Sequence, residues 1–123
     1  MLIVALGGAL GAISRWLLGG WIDQMTERTA FPWGIFAVNI LGCCVFGFLF
    51  AVGENRAWMT EHAKLLIFTG FLGSLTTFST FGWNSMQLIK DGQITVALLN
   101  ILLSVGVGVA GVWMGFSLGK TIG

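Results

Sequence analysis

The chain has 123 residues, of which 56% are hydrophobic and only 9% charged, against about 25% charged in an ordinary soluble domain. Mean hydropathy is +0.91 and the net charge is +1. These values exclude a disordered chain, count against a soluble one, and leave no basic surface for nucleic acid. They describe a single domain, 1–123, whose solvent is mostly lipid. With one histidine and five carboxylates there is little material for metal or acid–base catalysis, so an enzyme is not expected.

Four apolar runs, 2–22, 33–53, 63–89 and 95–119, each reach the ~20 residues that a helix needs to cross a hydrocarbon core of about 30 Å. The expected fold class is an all-α membrane protein: four transmembrane helices joined by short loops, with both termini on one side. The first run has no basic residue before it, and its first charge, Arg15, lies inside it. That pattern reads as a retained span rather than a cleaved signal. Arg15 at bilayer depth serves as a structural anchor or holds an anion, the anchor being favoured. Gly7 and Gly11 put small residues on one helix face, for packing within one subunit or between two. The polar cluster Asp23, Gln24, Thr26, Glu27, Arg28 and Thr29, then Pro32, ends the span. Trp21, Trp33 and Trp58 stand at or near span ends, where indole rings anchor to the headgroup layer.

The second run carries Asn39, whose amide can donate two hydrogen bonds, to a neighbouring helix, to an irregular backbone, or into a water-filled vestibule. Cys43 and Cys44 are adjacent, so on a helix they point roughly 100° apart and do not favour bonding to each other. Without CxxC or zinc spacing they read as small packing residues. Glu54, Asn55, Arg56, Glu61 and His62 close the segment.

The third run is the most informative. Five of the seven residues from 74 to 80 are Ser or Thr, and Gly70 and Gly73 precede them. Hydroxyls bond back to the backbone and glycine weakens a helix, which favours a break near 73–77 over an intact helix whose hydroxyls back-bond to its own carbonyls. A break frees carbonyls and N–H groups that lipid cannot satisfy. If two copies cross at their breaks, the carbonyls can cage a hard cation such as Na⁺. Phe78 and Phe81, three apart, share a face once the helix resumes. Core packing is the plainer reading of that pair. Their positive ring edges can also face a small anion, and Thr77, Ser79 and Thr80 beside them favour this. Lys90, Asp91 and Gly92 form a tight turn. The fourth run adds Asn100, Ser104 and the glycine stripe Gly111, Gly115 and Gly119.

Taken across the chain, the polar groups at bilayer depth are donors (guanidinium, amides and hydroxyls), and no carboxylate lies clearly within a span. That biases the interior toward anions or neutral solutes and against a proton-coupled cation exporter. Positive charge is nearly balanced: Arg56, Lys64 and Lys120 on one side face Arg28 and Lys90 on the other. The positive-inside rule has little to act on, which leaves two readings: insertion in both orientations, or a fixed orientation set by the true span limits or by helper factors.

The segment Gly70-Phe71-Leu72-Gly73-Ser74-Leu75-Thr76-Thr77-Phe78-Ser79-Thr80-Phe81 resembles the GFLGGLTTFSTF motif of the Fluc fluoride channel family. Leu10-Gly11-Ala12-Ile13-Ser14-Arg15-Trp16, and Val38-Asn39 with Gly42, support the likeness, which covers essentially the whole chain. The resemblance implies an antiparallel, dual-topology homodimer in the bacterial inner membrane, with two fluoride pathways and a broken third helix. It implies a structural Na⁺ at the dimer centre, held by the backbone carbonyls of Gly73 and Thr76. It further implies anion pathways lined by Phe78, Phe81, Asn39, Ser79, Thr80 and Ser104, with Arg15 near the aqueous entrance. Two departures stand out. Ser74 replaces the second glycine of GFLGG, which stiffens the expected break. Asn84 stands where many members carry a glutamate. No GxxxxGK[ST] motif indicates active pumping, so passive fluoride export is the expected function. The rival readings are a small proton-coupled multidrug transporter and a non-transporting membrane scaffold.

Overall fold

The computed structural model describes residues 1–27 and 29–122. Arg28, counted above for sidedness, and Gly123 lie outside the described residues. Helix α1 (Leu2–Met25) and α2 (Trp33–Gly53) are followed by a composite third span, and α6 (Ile94–Ile122) closes the chain. The third span, Glu61–Lys90, is assembled from four pieces. They are α3 (Glu61–Lys64), a π-helical stretch (Leu65–Leu72), α4 (Gly73–Leu75) and, after two extended residues, α5 (Phe78–Lys90). All four spans are long and apolar enough to cross a membrane, and the protein is an integral, multi-pass membrane protein. No strand occurs among the described residues. Three of the spans overrun their apolar runs: α1 reaches Met25, the third span runs from Glu61 to Lys90, and α6 reaches Ile122.

The helix ends follow from local chemistry. Asp23, in the last turn of α1, accepts a hydrogen bond from the Gly34 N–H at 2.9 Å. It thereby places a carboxylate at the positive start of α2. The Thr60 hydroxyl accepts from the Ala63 N–H and starts α3. The turn after α5 is made by Gly92 at φ +80°, a conformation that favours glycine.

Packing runs mainly along two pairs, α2 with α6 and α1 with the π-helical stretch and α4. Both are glycine contacts. A Cβ on Gly115 would press on the Cys44 carbonyl oxygen, and one on Gly47 on the Val112 carbonyl oxygen. Likewise a Cβ on Gly7 or Gly11 would meet the carbonyl of Leu66 or Phe71. The two glycine stripes therefore bring backbones together within the chain, which settles the choice the sequence left open. Val38, Leu72 and Leu75 form the buried centre, with Ile67, Phe68 and Phe71 against it. Large apolar side chains such as Leu102, Val109 and Trp113 point outward, as they do when the solvent is lipid. At one end of the bundle, the Lys120 ammonium donates to Glu54 at 2.8 Å, tying the end of α6 to the second loop.

Candidate functional site

The break falls at Thr76 (φ −88°, ψ 150°) and Thr77 (φ −148°, ψ 125°), both extended. Two side chains hold it there. Thr76 closes α4: its N–H and its hydroxyl both donate to the Leu72 carbonyl, at 3.1 and 3.0 Å. Asn39 of α2 then takes hold of Thr77. The Thr77 N–H donates to Asn39 Oδ1 at 2.8 Å, and Asn39 Nδ2 donates back to the Thr77 carbonyl at 3.2 Å. One carboxamide thus replaces both bonds that a neighbouring peptide would supply. The helix restarts because the Thr77 hydroxyl accepts from the Thr80 N–H at 3.4 Å, as a capping residue does. Of the destinations open to the Asn39 amide, the structure selects the break. Ser74 is part of α4 and packs toward Gly8 and Gly11 of α1. The extended residues that follow have negative φ, so the missing second glycine is not needed to form the break.

Two carbonyls are released as a result. In an uninterrupted helix the Thr77 and Thr80 N–H groups would serve Gly73 and Thr76. Here they donate to Asn39 Oδ1 and to the Thr77 hydroxyl instead. Gly73 is exposed on the outer face of the chain, half-way along the span.

Beside the break lies an open groove of about 240 Å³. It brings together Asn39 and Cys43 of α2, Thr76 and Thr77 of the break, Phe78 and Phe81 of α5, and Ser104 of α6. The Phe78 and Phe81 rings lie 5.6 Å apart, tilted by 50°. Phe81 is half-buried, whereas Phe78 is 81% exposed. Ser79 and Thr80 gather around the Thr77 hydroxyl, at 3.3 and 3.4 Å, and do not line the groove. Arg15 stands half-buried on α1, also outside the groove lining. Asn84 sits nearer the end of the span, in a shallow pocket with Pro32, Gln87 and Asp91.

Sequence reasoning counted Asn100 among the polar groups within the spans but gave it no role; it is the most buried polar side chain among the described residues, 1% exposed. It donates to the Ser85 hydroxyl at 2.9 Å and accepts from Ser104 at 3.2 Å, while Ser85 donates to the Phe81 carbonyl at 2.9 Å. The spacing carries the signal: 81 with 85, and 100 with 104, are i,i+4 pairs on adjoining helices.

The family described as "CrcB-like protein, Camphor Resistance (CrcB)" has a model that matches residues 2–116. The chain belongs to the CrcB-like family. Curated relatives span nearly its full length. It is similar to "Fluoride-specific ion channel FluC 1" of Symbiobacterium thermophilum, 39% identical over 95% of this chain and 94% of that one. It is also similar to "Fluoride-specific ion channel FluC" of Geotalea uraniireducens, 38% identical over 99% and 98%. The protein of the same name from Magnetococcus marinus is 41% identical over 97% and 96%. Within this CrcB-like chain, the groove and the interrupted span occupy the segment with the strongest motif.

Proposed function

We propose that this protein is a fluoride-specific ion channel that exports fluoride passively, down its gradient and the membrane potential. The observation that carries the reading is the interrupted third span. Its break, clamped by Asn39, opens at mid-membrane onto a groove walled by Phe78, Phe81 and Ser104. The names of the full-length relatives supply the ion.

The chemistry is compatible. Fluoride is small and strongly hydrated, so a dry path must replace its water with donors and positive edges. Neutral groups and ring edges bind it weakly enough to release it, as conduction requires. All five carboxylates, Asp23, Glu27, Glu54, Glu61 and Asp91, sit at span ends or in loops. A proton-coupled exporter of cations therefore has no intramembrane acid to work with.

We further infer that two copies pair antiparallel, crossing at their breaks. The exposed Gly73 and the two released carbonyls support this, because lipid satisfies neither. Oxygen-only donors of this kind suit a hard monovalent cation, so the Gly73 and Thr76 carbonyls of each copy would hold Na⁺. A cation there supplies fixed positive charge beside the anion paths. The second copy also covers Phe78 and completes each groove, giving two pathways per dimer, with Asn39 and Ser104 beside the ion, Ser79 and Thr80 gathered at the Thr77 hydroxyl next to the path, and Arg15 toward the entrance. The nearly even charge on the two sides suits insertion both ways.

Fluoride efflux from liposomes carrying the purified protein tests the function, with chloride as the control. Fluoride release without chloride release is expected; equal release of both, or of neither, overturns the proposal. Cross-linking between cysteines placed at opposite ends of the spans tests the pairing, and a parallel dimer overturns that part.

A further inference from the structure

The Phe81 carbonyl can only accept, which fixes the direction of the whole hydrogen-bonded chain behind the groove. Ser85 must donate to it, at 2.9 Å. The Ser85 oxygen is then the acceptor for Asn100 Nδ2, at 2.9 Å. That orients the Asn100 amide so that Oδ1 faces Ser104, and Ser104 donates its only hydroxyl proton to it, at 3.2 Å. The protons all run one way, from Ser104 on the groove wall inward to Asn100, then to Ser85, and end on the Phe81 backbone carbonyl. Asn100 is 1% exposed, so no water competes for its Oδ1.

We propose that Asn100 is a positioning residue that sets the polarity of the α6 wall of the ion path. It holds Ser104 with its oxygen lone pairs, rather than its proton, toward the groove. An anion gains Ser104 as a donor only by breaking the Ser104–Asn100 bond, which leaves a buried amide oxygen unmatched. The wall is thus a ligand of adjustable strength: it lends a proton to a passing ion and takes it back. This keeps the ion from binding too tightly to leave. The inference rests on the fluoride-channel reading above and assigns the tuning of ion affinity to a residue that does not line the groove.

The test is the fluoride dependence of efflux in liposomes. Asn100→Leu removes the competing acceptor and frees the Ser104 proton for the ion. The half-saturating fluoride concentration is expected to fall about five-fold, the worth of one hydrogen bond, with a lower maximal rate. In the double variant Asn100→Leu/Ser104→Ala that tightening disappears. An unchanged or raised half-saturating concentration in Asn100→Leu overturns the proposal, as does a tightening that survives Ser104→Ala. A measurement on the unmutated protein needs no buried substitution. The assigned side-chain carbonyl ¹³C resonance of Asn100 is expected to move when fluoride is added and to stay in place with chloride. A resonance that does not move in protein that conducts fluoride overturns the proposal. Failure of the unmutated protein to release fluoride at all rejects the channel reading itself, a different outcome from either.

Discussion

The α2–α6 pair and the third span meet the same demand in opposite ways. Each must satisfy its backbone where there is no water. The α2–α6 pair does so with unbroken helices pressed together at glycines, so that Gly47 and Gly115 each lie against a carbonyl of the partner helix. The third span gives up continuity at Thr76 and Thr77 and borrows a side chain from α2 to replace what it loses. The contrast teaches a division of labour. Rigidity comes from backbone contact at small residues, and carbonyls without a helical partner come from a backbone interrupted where a second helix can repair part of the loss. One helix, α2, takes part in both. Its glycine face meets α6, and Asn39, two turns before Gly47, reaches the break.

Substitutions separate the two halves of this division. The largest effect is expected from Gly115→Leu, because the side chain would start inside contact distance of the Cys44 backbone. Overpacking a close helix contact costs about 1–3 kcal/mol or more, and a sharp loss of monodisperse protein on size exclusion checks it. Asn39→Leu comes next and acts on the break. It strips the partners from the N–H and carbonyl of Thr77, each worth about 1–3 kcal/mol when left unmatched. Fluoride efflux is expected to fall about 100-fold; normal efflux would separate the break from conduction. Phe81→Ile keeps an apolar side chain but removes the ring edge. An efflux loss of about ten-fold with assembly intact is expected, and unchanged flux would count against a ring-edge path. The smallest effect belongs to Lys120→Gln. Its pair with Glu54 is about half exposed, and such pairs contribute within about 1 kcal/mol, so a melting measurement should barely register the change.

Much of this was legible in the residues themselves. The four apolar runs located four helices, and the density of hydroxyls after Gly70 and Gly73 located the discontinuity. Its position within 73–77 was not, because glycine does not set it. Gly73 remains helical, and the chain leaves the helix only where Asn39 captures the Thr77 N–H. The π-helical stretch at Leu65–Leu72 also escaped the sequence, since a run of apolar residues is compatible with either winding. It lies where α1 presses closest, with Gly7 against Gly70 and the Leu66 carbonyl. The glycine stripes were visible as stripes, yet four-residue spacing says only that a face is small. Contact with Cys44 and Phe71 assigns those faces to the chain's own interior.

The residues alone determined that the chain lives in lipid, spans it four times and interrupts its third span, because length and hydropathy answer to bilayer thickness and local hydroxyls compete with the helix. Tertiary structure decided which polar groups remain available to an ion. Asn39 is committed to Thr77 across 38 residues, and Asn100 to Ser85 across 15. A hydrogen bond between helices depends on which faces pack together, and no local pattern of residues specifies that.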